Sequence, residues 1–117
     1  MARVPVAVLC GMLLAAPSHA WTDDARRARY GAALREAIQS AWLAPEGIPA
    51  DARCRLVIQQ LPGGEVVAVD ALPDCTFDAV ARQSLLRAVQ RAAPLPYAGF
   101  EPVFSRSLTI TFTSAAR

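Results

Sequence analysis

The stretch that decides the fold runs from Cys54 to Cys75 and reads CRLVIQQLPGGEVVAVDALPDC. Two runs rich in β-branched and apolar residues flank the tripeptide Pro62-Gly63-Gly64, which is strong turn chemistry, so the stretch predicts a β-hairpin. If the two strands pair symmetrically about this turn, Cys54 lies opposite Pro73. Cys75 stands two residues further along, within the reach of a disulfide if the chain turns back over the sheet.

The first strand of the hairpin has one apolar face and one largely polar face, which is typical of an antiparallel sheet covered on one side. The two faces consist of Cys54, Leu56 and Ile58, and of Arg55, Val57 and Gln59. The second strand does not alternate cleanly around Val66, Val67 and Val69. A β-bulge or burial on both faces would account for this, and the sequence favours neither.

The N-terminal residues have the pattern of a secretory signal. Arg3 is the only charge ahead of an apolar run from Val4 to Ala16, and Ser18-His19-Ala20 places small residues where a signal peptidase cleaves. The run is shorter than the roughly 20 apolar residues that span a bilayer. A cleaved signal, residues 1–20, is therefore favoured over an uncleaved membrane anchor.

Cleavage would leave a single small domain, residues 21–117, of 117 − 20 = 97 residues. Cys10 would leave with the signal, so the mature chain would keep an even number of cysteines. Cys54 and Cys75 are then the possible disulfide pair in an oxidising compartment.

The composition argues against several classes of function. His19 is the only histidine and belongs to the predicted signal, so neither a Ser-His-Asp nor a Cys-His arrangement can form in the mature chain. Two cysteines without histidine make a poor zinc site, which usually has four ligands. The 12 basic residues, all arginine, and 10 acidic residues of the whole chain are too balanced for a nucleic-acid footprint. We expect a non-enzymatic protein with no cofactor, no metal, no nucleic acid and no small-molecule substrate.

Two pairs of carboxylates remain as candidates for acid and base catalysis: Glu65 with Asp70, and Asp74 with Asp78. Charged residues at turns and helix starts are usually solvated surface, and no recognisable constellation surrounds these pairs. Catalysis is the weaker interpretation.

Two amphipathic helices are predicted on either side of the hairpin. The first follows Asp23 and Asp24, which could cap it, and ends before Pro45; its apolar stripe is Tyr30, Leu34, Ile38 and Ala41, with Trp42 packing at its end. The second has the apolar stripe Phe77, Val80, Ala81, Leu85, Ala88 and Val89.

Residues 106–112 alternate clearly and predict a third strand. Its apolar face is Leu108, Ile110 and Phe112, and its hydroxyl face is Ser107, Thr109 and Thr111. A right-handed crossover through the second helix would place this strand beside the first strand and antiparallel to it. The fold class is therefore α+β, a three-stranded antiparallel sheet of order 2-1-3 with two helices on one face.

In this arrangement the third strand is an exposed edge. It contains no proline from Ser105 to Phe112 and no charge from Ser107 to Phe112. Edge strands are usually protected against pairing with another strand, and this one is protected weakly. The sequence therefore predicts an edge that accepts a strand from a partner, or from a second copy in a homodimer.

The ordered set of these features resembles the TolA/TonB C-terminal domain family of Gram-negative cell envelopes. The matching pieces are Tyr30, Ile38, Trp42 and Pro45, residues 54–58, residues 63–66, Cys75 with Phe77-Asp78, residues 92–96, Phe104, and Thr111-Phe112. The resemblance covers essentially all of residues 21–117.

The resemblance implies a disulfide between Cys54 and Cys75 and a periplasmic protein-binding function. Family members bind TolB and Pal, and phage and colicin proteins use them as receptors. Partner strands add to their edge strand, which here implies the segment Ser105, Arg106, Ser107, Leu108, Thr109, Ile110, Thr111 and Phe112. The expected role is recruitment of Tol-Pal partners in support of envelope integrity.

Three alternatives remain open at this point. The predicted signal leaves neither an anchor nor a long linker, so we expect a free-standing periplasmic version of the domain. An intact N-terminal segment in the membrane would favour a TonB-like energy transducer. A secreted inhibitor or assembly factor could use the same fold on an unrelated target.

Overall fold

The computed structural model describes residues 19–114, with side chains from Asp23 onward. In chain order the elements are helix α1 (His19–Ala41), strands β1 (Arg53–Leu61) and β2 (Glu65–Ala71), helix α2 (Ala79–Ala92), a 3₁₀ helix (Glu101–Val103) and strand β3 (Ser107–Thr113). The predicted order of helix, strand, strand, helix and strand is confirmed. Within residues 19–114, no helix has the length and apolar character needed to cross a membrane.

Helix α1 begins earlier than the sequence analysis predicts. It starts at His19, so Asp23 and Asp24 lie inside its first turns and do not cap it. Asp24 instead accepts a hydrogen bond of 3.2 Å from Arg27 on the exposed surface. No glycine or proline lies between His19 and Asp23, so nothing in this segment stops the helix from extending backward. The predicted signal, residues 1–20, lies outside the described residues except for the two that open α1.

The three strands form one antiparallel sheet in the predicted order β2-β1-β3. β1 is the central strand, and β3 reaches its far side after the chain has passed through α2. The sheet therefore has two outer strands, β2 and β3.

A β-bulge in β2 explains its irregular pattern. Near the turn the register shifts by one residue, so Leu61 pairs with Glu65. Val67 is the extra residue on the bulged strand and is 60% exposed. Val66 and Val69 both pack against the core on either side of it. The bulge is one of the two alternatives that the sequence left open.

Both helices cover one face of the sheet. The core residues from the helices and strands are Tyr30, Leu34 and Ile38 of α1, Ala81, Leu85, Ala88 and Val89 of α2, Cys54, Leu56 and Ile58 of β1, and Ile110 and Phe112 of β3. Val80, predicted to lie in the α2 stripe, is 67% exposed. It lies about 100° around the helix from Ala81 and falls beyond the edge of the buried face.

Trp42 joins the ends of the two helices. It is 5% exposed, and its ring stacks on Phe77 with ring centroids 5.9 Å apart. Its indole Nε1 donates a hydrogen bond of 2.8 Å to the Ser84 hydroxyl on α2. The packing role predicted for Trp42 is confirmed.

Candidate partner-binding edge

Strand β3 is a regular edge. All seven of its residues, Ser107–Thr113, pair with β1 in a constant register. β2, at the other side of the sheet, is interrupted by its bulge. Because bulges distort an edge and hinder further pairing, β3 is the better template of the two for an added strand.

The hydrogen bonds of β1 show which backbone groups of β3 face outward. In an antiparallel pair, successive residues alternate between bonding the partner strand and pointing away from it. The Gln60 amide donates to the Arg106 carbonyl at 2.9 Å, so the backbone groups of Arg106 are directed toward β1. On the opposite side of β1, the Leu72 amide donates to the Arg55 carbonyl at 2.9 Å. The odd-numbered residues of β1 therefore bond toward β2, and the even-numbered residues bond toward β3.

This alternation assigns the backbone groups of β3. Those of Leu108, Ile110 and Phe112 bond to β1, and those of Ser107, Thr109, Thr111 and Thr113 face the open edge. Within residues 19–114, β1 is the one strand that pairs with β3. The edge thus offers N–H and C=O groups at every second residue.

The side chains of the outward-facing residues are hydroxyl groups on the uncovered face of the sheet. Ser107 and Thr109 are exposed, and Thr111 and Thr113 are half-buried. The alternate side chains point into the core, where Ile110 is 7% exposed and Phe112 is 0% exposed. The alternation predicted for this strand is confirmed, and it leaves an uncharged edge.

The predicted site segment and the strand differ at the N-terminal end. Ser105 and Arg106 were included in the predicted edge, but they precede the first strand residue, Ser107. The Ser105 carbonyl accepts a hydrogen bond of 2.7 Å from Gln60 Nε2, and the Arg106 carbonyl accepts the Gln60 amide. Gln60 holds this segment against the end of β1.

Gln60 was not identified in the sequence as important. It is 1% exposed, and its Nε2 also donates to the Tyr30 hydroxyl at 2.8 Å. A signal was present, because Gln60 continues the core-facing phase of Leu56 and Ile58 with a polar residue. A buried amide needs hydrogen-bond partners, but the sequence alone does not show where they are.

The disulfide lies at the other end of the edge. Cys54 is bonded to Cys75, as predicted, and pairs with Phe112 of β3. Beside it, Arg55 donates to Asp74 at 2.7 Å on the exposed surface. The bond ties the segment after β2 back to the start of β1.

No cluster of three or more His, Cys, Asp or Glu side chains able to hold a metal ion is present in the part of the chain that the structure describes. Among the described residues, the candidate site that the backbone geometry supports is the edge of β3.

Comparison with known proteins gives the family and the fold. The sequence matches the family described as TonB C terminal over residues 27–112. Among solved structures it is similar to the solution NMR structure of TolAIII bound to a peptide derived from the N-terminus of TolB. The two are 19% identical with a TM-score of 0.56, and the match covers 71% of this chain and 70% of that chain. No curated protein matches the sequence.

Proposed function

Because the chain belongs to the TonB C-terminal family, we propose that it is a non-enzymatic, protein-binding module of the cell envelope that takes up a partner segment by strand addition at β3. The partner is an extended segment of a TolB- or Pal-like protein. The function is recruitment of Tol-Pal components in support of envelope integrity.

The observation that carries this proposal is the regular, uncharged edge of β3. Its outward N–H and C=O groups lie at Ser107, Thr109, Thr111 and Thr113, and no proline interrupts them. Unpaired strand edges bind extended peptides through main-chain hydrogen bonds, with side-chain contacts supplying specificity. The hydroxyl side chains at these positions give an added strand an uncharged surface beside it.

The choice of partner rests on a structural neighbour. TolAIII, which shares the fold, has been solved with a peptide from the N-terminus of TolB. A TolB-type segment is therefore the first partner to test, and Pal-like proteins and phage or colicin domains follow. The compartment is the periplasm, which is consistent with the disulfide Cys54–Cys75, because such bonds persist in oxidising compartments.

The test is a titration followed by amide NMR. The protein is expressed from the full sequence, purified in its oxidised form, and titrated with a peptide from the N-terminus of TolB. We expect the largest chemical-shift changes at Thr109 and Thr111, whose amides face the edge. A scrambled peptide of the same composition is the control.

The other outcomes are also informative. Shifts confined to the helices would contradict strand addition while leaving a binding function. If a large excess of the peptide causes no chemical-shift changes, the proposal of a TolB-type partner is wrong. Concentration-dependent shifts on β3 without any peptide would indicate that the edge pairs with a second copy of the chain.

A further inference from the structure

Gln60 is a buried polar residue whose contacts an apolar residue could not make. Its Nε2 bonds both the Tyr30 hydroxyl and the Ser105 carbonyl. Its Oε1 is buried and has no hydrogen-bond partner among residues 23–114. Burying an amide side chain costs stability unless its hydrogen bonds are made, so the two bonds of Nε2 offset the cost of placing a glutamine here. The contacts of Nε2 point to a role in placing Ser105.

Ser105 lies two residues before Ser107, so it continues the alternation of the outward-facing residues of β3. If the strand extended back to this residue, its carbonyl would face the open edge. Gln60 instead holds that carbonyl at 2.7 Å inside the molecule, and the strand begins at Ser107.

The Ser105 side chain then engages the edge itself. Its hydroxyl donates a hydrogen bond of 2.8 Å to the carbonyl of Ser107. By the alternation established above, this is the first outward-facing carbonyl of β3. The acceptor that an added strand would meet first is thus already bonded within the chain.

We propose that Ser105, positioned by Gln60, closes the N-terminal end of β3 to an added strand and confines the partner to Thr109, Thr111 and Thr113. This inference rests on the proposed function and defines how much of the edge takes part in it. An antiparallel partner residue exchanges two hydrogen bonds with the residue that it faces. At Ser107 the Ser105 hydroxyl already uses one of the two lone pairs of the outward-facing carbonyl, so the amide of an added strand must compete with it for this acceptor.

The partner segment is therefore short. At three outward-facing residues the N–H and the C=O are both free to bond a partner strand. These residues span a length of β3 that pairs with an extended segment of about five residues. The same closure shortens the open part of an edge that carries no charge or proline of its own, and short edges resist pairing between copies.

The test compares the Ser105→Ala variant with wild type and with Ser105→Thr, which keeps the hydroxyl. The probe is the peptide from the N-terminus of TolB, titrated into the oxidised full-sequence protein. Ser105→Ala frees the Ser107 carbonyl, so we expect about threefold to tenfold tighter binding, the value of one added hydrogen bond. We also expect the shift changes to extend to Ser107. Ser105→Thr should bind as wild type does.

A second variant tests the positioning role. Gln60→Met keeps the side-chain length and removes both hydrogen bonds, and it should extend the shift changes to Ser107 as Ser105→Ala does. Tyr30→Phe is its control, because it removes one of the two bonds and leaves the bond to Ser105 intact. Unchanged affinity and an unchanged pattern of shifts in Ser105→Ala overturn the proposal whatever Gln60→Met does.

The hydrogen bond from the Ser105 hydroxyl to the Ser107 carbonyl can also be tested by NMR in the absence of a partner. The carbonyl carbon resonance of Ser107 in the free protein should move in Ser105→Ala, because its hydrogen bond is lost, and stay in place in Ser105→Thr. If the peptide binds no variant, the TolB-type partner fails, and this resonance still decides whether the Ser107 carbonyl is engaged. An unmoved resonance in Ser105→Ala contradicts the closure.

Discussion

The amide of Leu95 donates a hydrogen bond of 2.8 Å to the carbonyl of Gly64, which joins the segment after α2 to the turn of the β-hairpin. A Cβ atom on Gly64 would overlap the backbone N, C and O of Leu95, and Gly64 has φ +91. Leu95 is 2% exposed, so neither partner has room to move. The contact therefore requires glycine, and it anchors the connection that leads to β3.

Replacing Gly64 with alanine should destabilise the protein strongly. The new Cβ meets backbone atoms, which cannot rotate away, and the positive φ adds strain. We expect a loss of about 3 kcal/mol or more in the free energy of unfolding, measured by urea denaturation. Gly63→Ala is the matched control, because Gly63 has φ +99 but nothing within 4 Å of its Cβ position. It should lose about 1 kcal/mol, and equal losses in the two variants would contradict the packing argument.

Loss of the disulfide should cost a large part of the stability of this small domain. The bond closes a loop with a sequence separation of 21 residues, for which constraint of the unfolded chain gives about 3 kcal/mol. Urea denaturation of the oxidised and reduced protein should show this difference. The double variant Cys54→Ala, Cys75→Ala should be insensitive to reductant. Equal midpoints for oxidised and reduced wild type would mean that the bond contributes little.

Trp42 should contribute through packing more than through its hydrogen bond. Ser84→Ala removes the acceptor of the indole Nε1 and should cost about 1 kcal/mol. Trp42→Ala also removes the stacking on Phe77 and should cost about 3 to 5 kcal/mol. Both values are measured by urea denaturation. A Ser84→Ala loss as large as that of Trp42→Ala would show that the polar contact dominates.

Thr109→Pro tests the binding edge without breaking the sheet. The Thr109 amide faces the open edge, so proline there removes no hydrogen bond to β1 but blocks an added strand. We expect a folded protein whose affinity for the TolB-derived peptide falls at least about tenfold, since several main-chain bonds are lost. The affinity is measured by NMR titration.

Ile110→Pro is the complementary variant, one residue further along the same strand. The Ile110 amide bonds to β1, so this variant should lose about 3 kcal/mol of stability. Full peptide binding by a folded Thr109→Pro protein would rule out strand addition at this part of the edge.

The elements of the fold could be read from local patterns. The stripe of Tyr30, Leu34 and Ile38 and the alternation of Leu108, Ile110 and Phe112 each report one buried face, because burial of that face stabilises the element. The turn at Pro62-Gly63-Gly64 reports a backbone conformation that few other residues adopt. Such signals lie within one element and survive without knowledge of its neighbours.

The details of the candidate site could not be read in the same way. The extent of the edge depends on Gln60 and Ser105, whose hydrogen bond joins residues that are 45 positions apart in the sequence. The bulge at Val67 depends on how β2 fits against the helices, since Val66 and Val69 both reach the core. The sequence of one segment does not report its contacts with another segment.

The sequence by itself thus indicated the helices, the strands, the sheet order and the uncharged character of the last strand, and the resemblance to a known family implied the bond between Cys54 and Cys75. The tertiary structure alone decided where the edge begins and which backbone groups face outward at it. The reason is physical. Side-chain periodicity reports which face of a single helix or strand is buried. The direction of the backbone groups depends on the register of β3 against β1, and the placement of Ser105 depends on its hydrogen bond with Gln60.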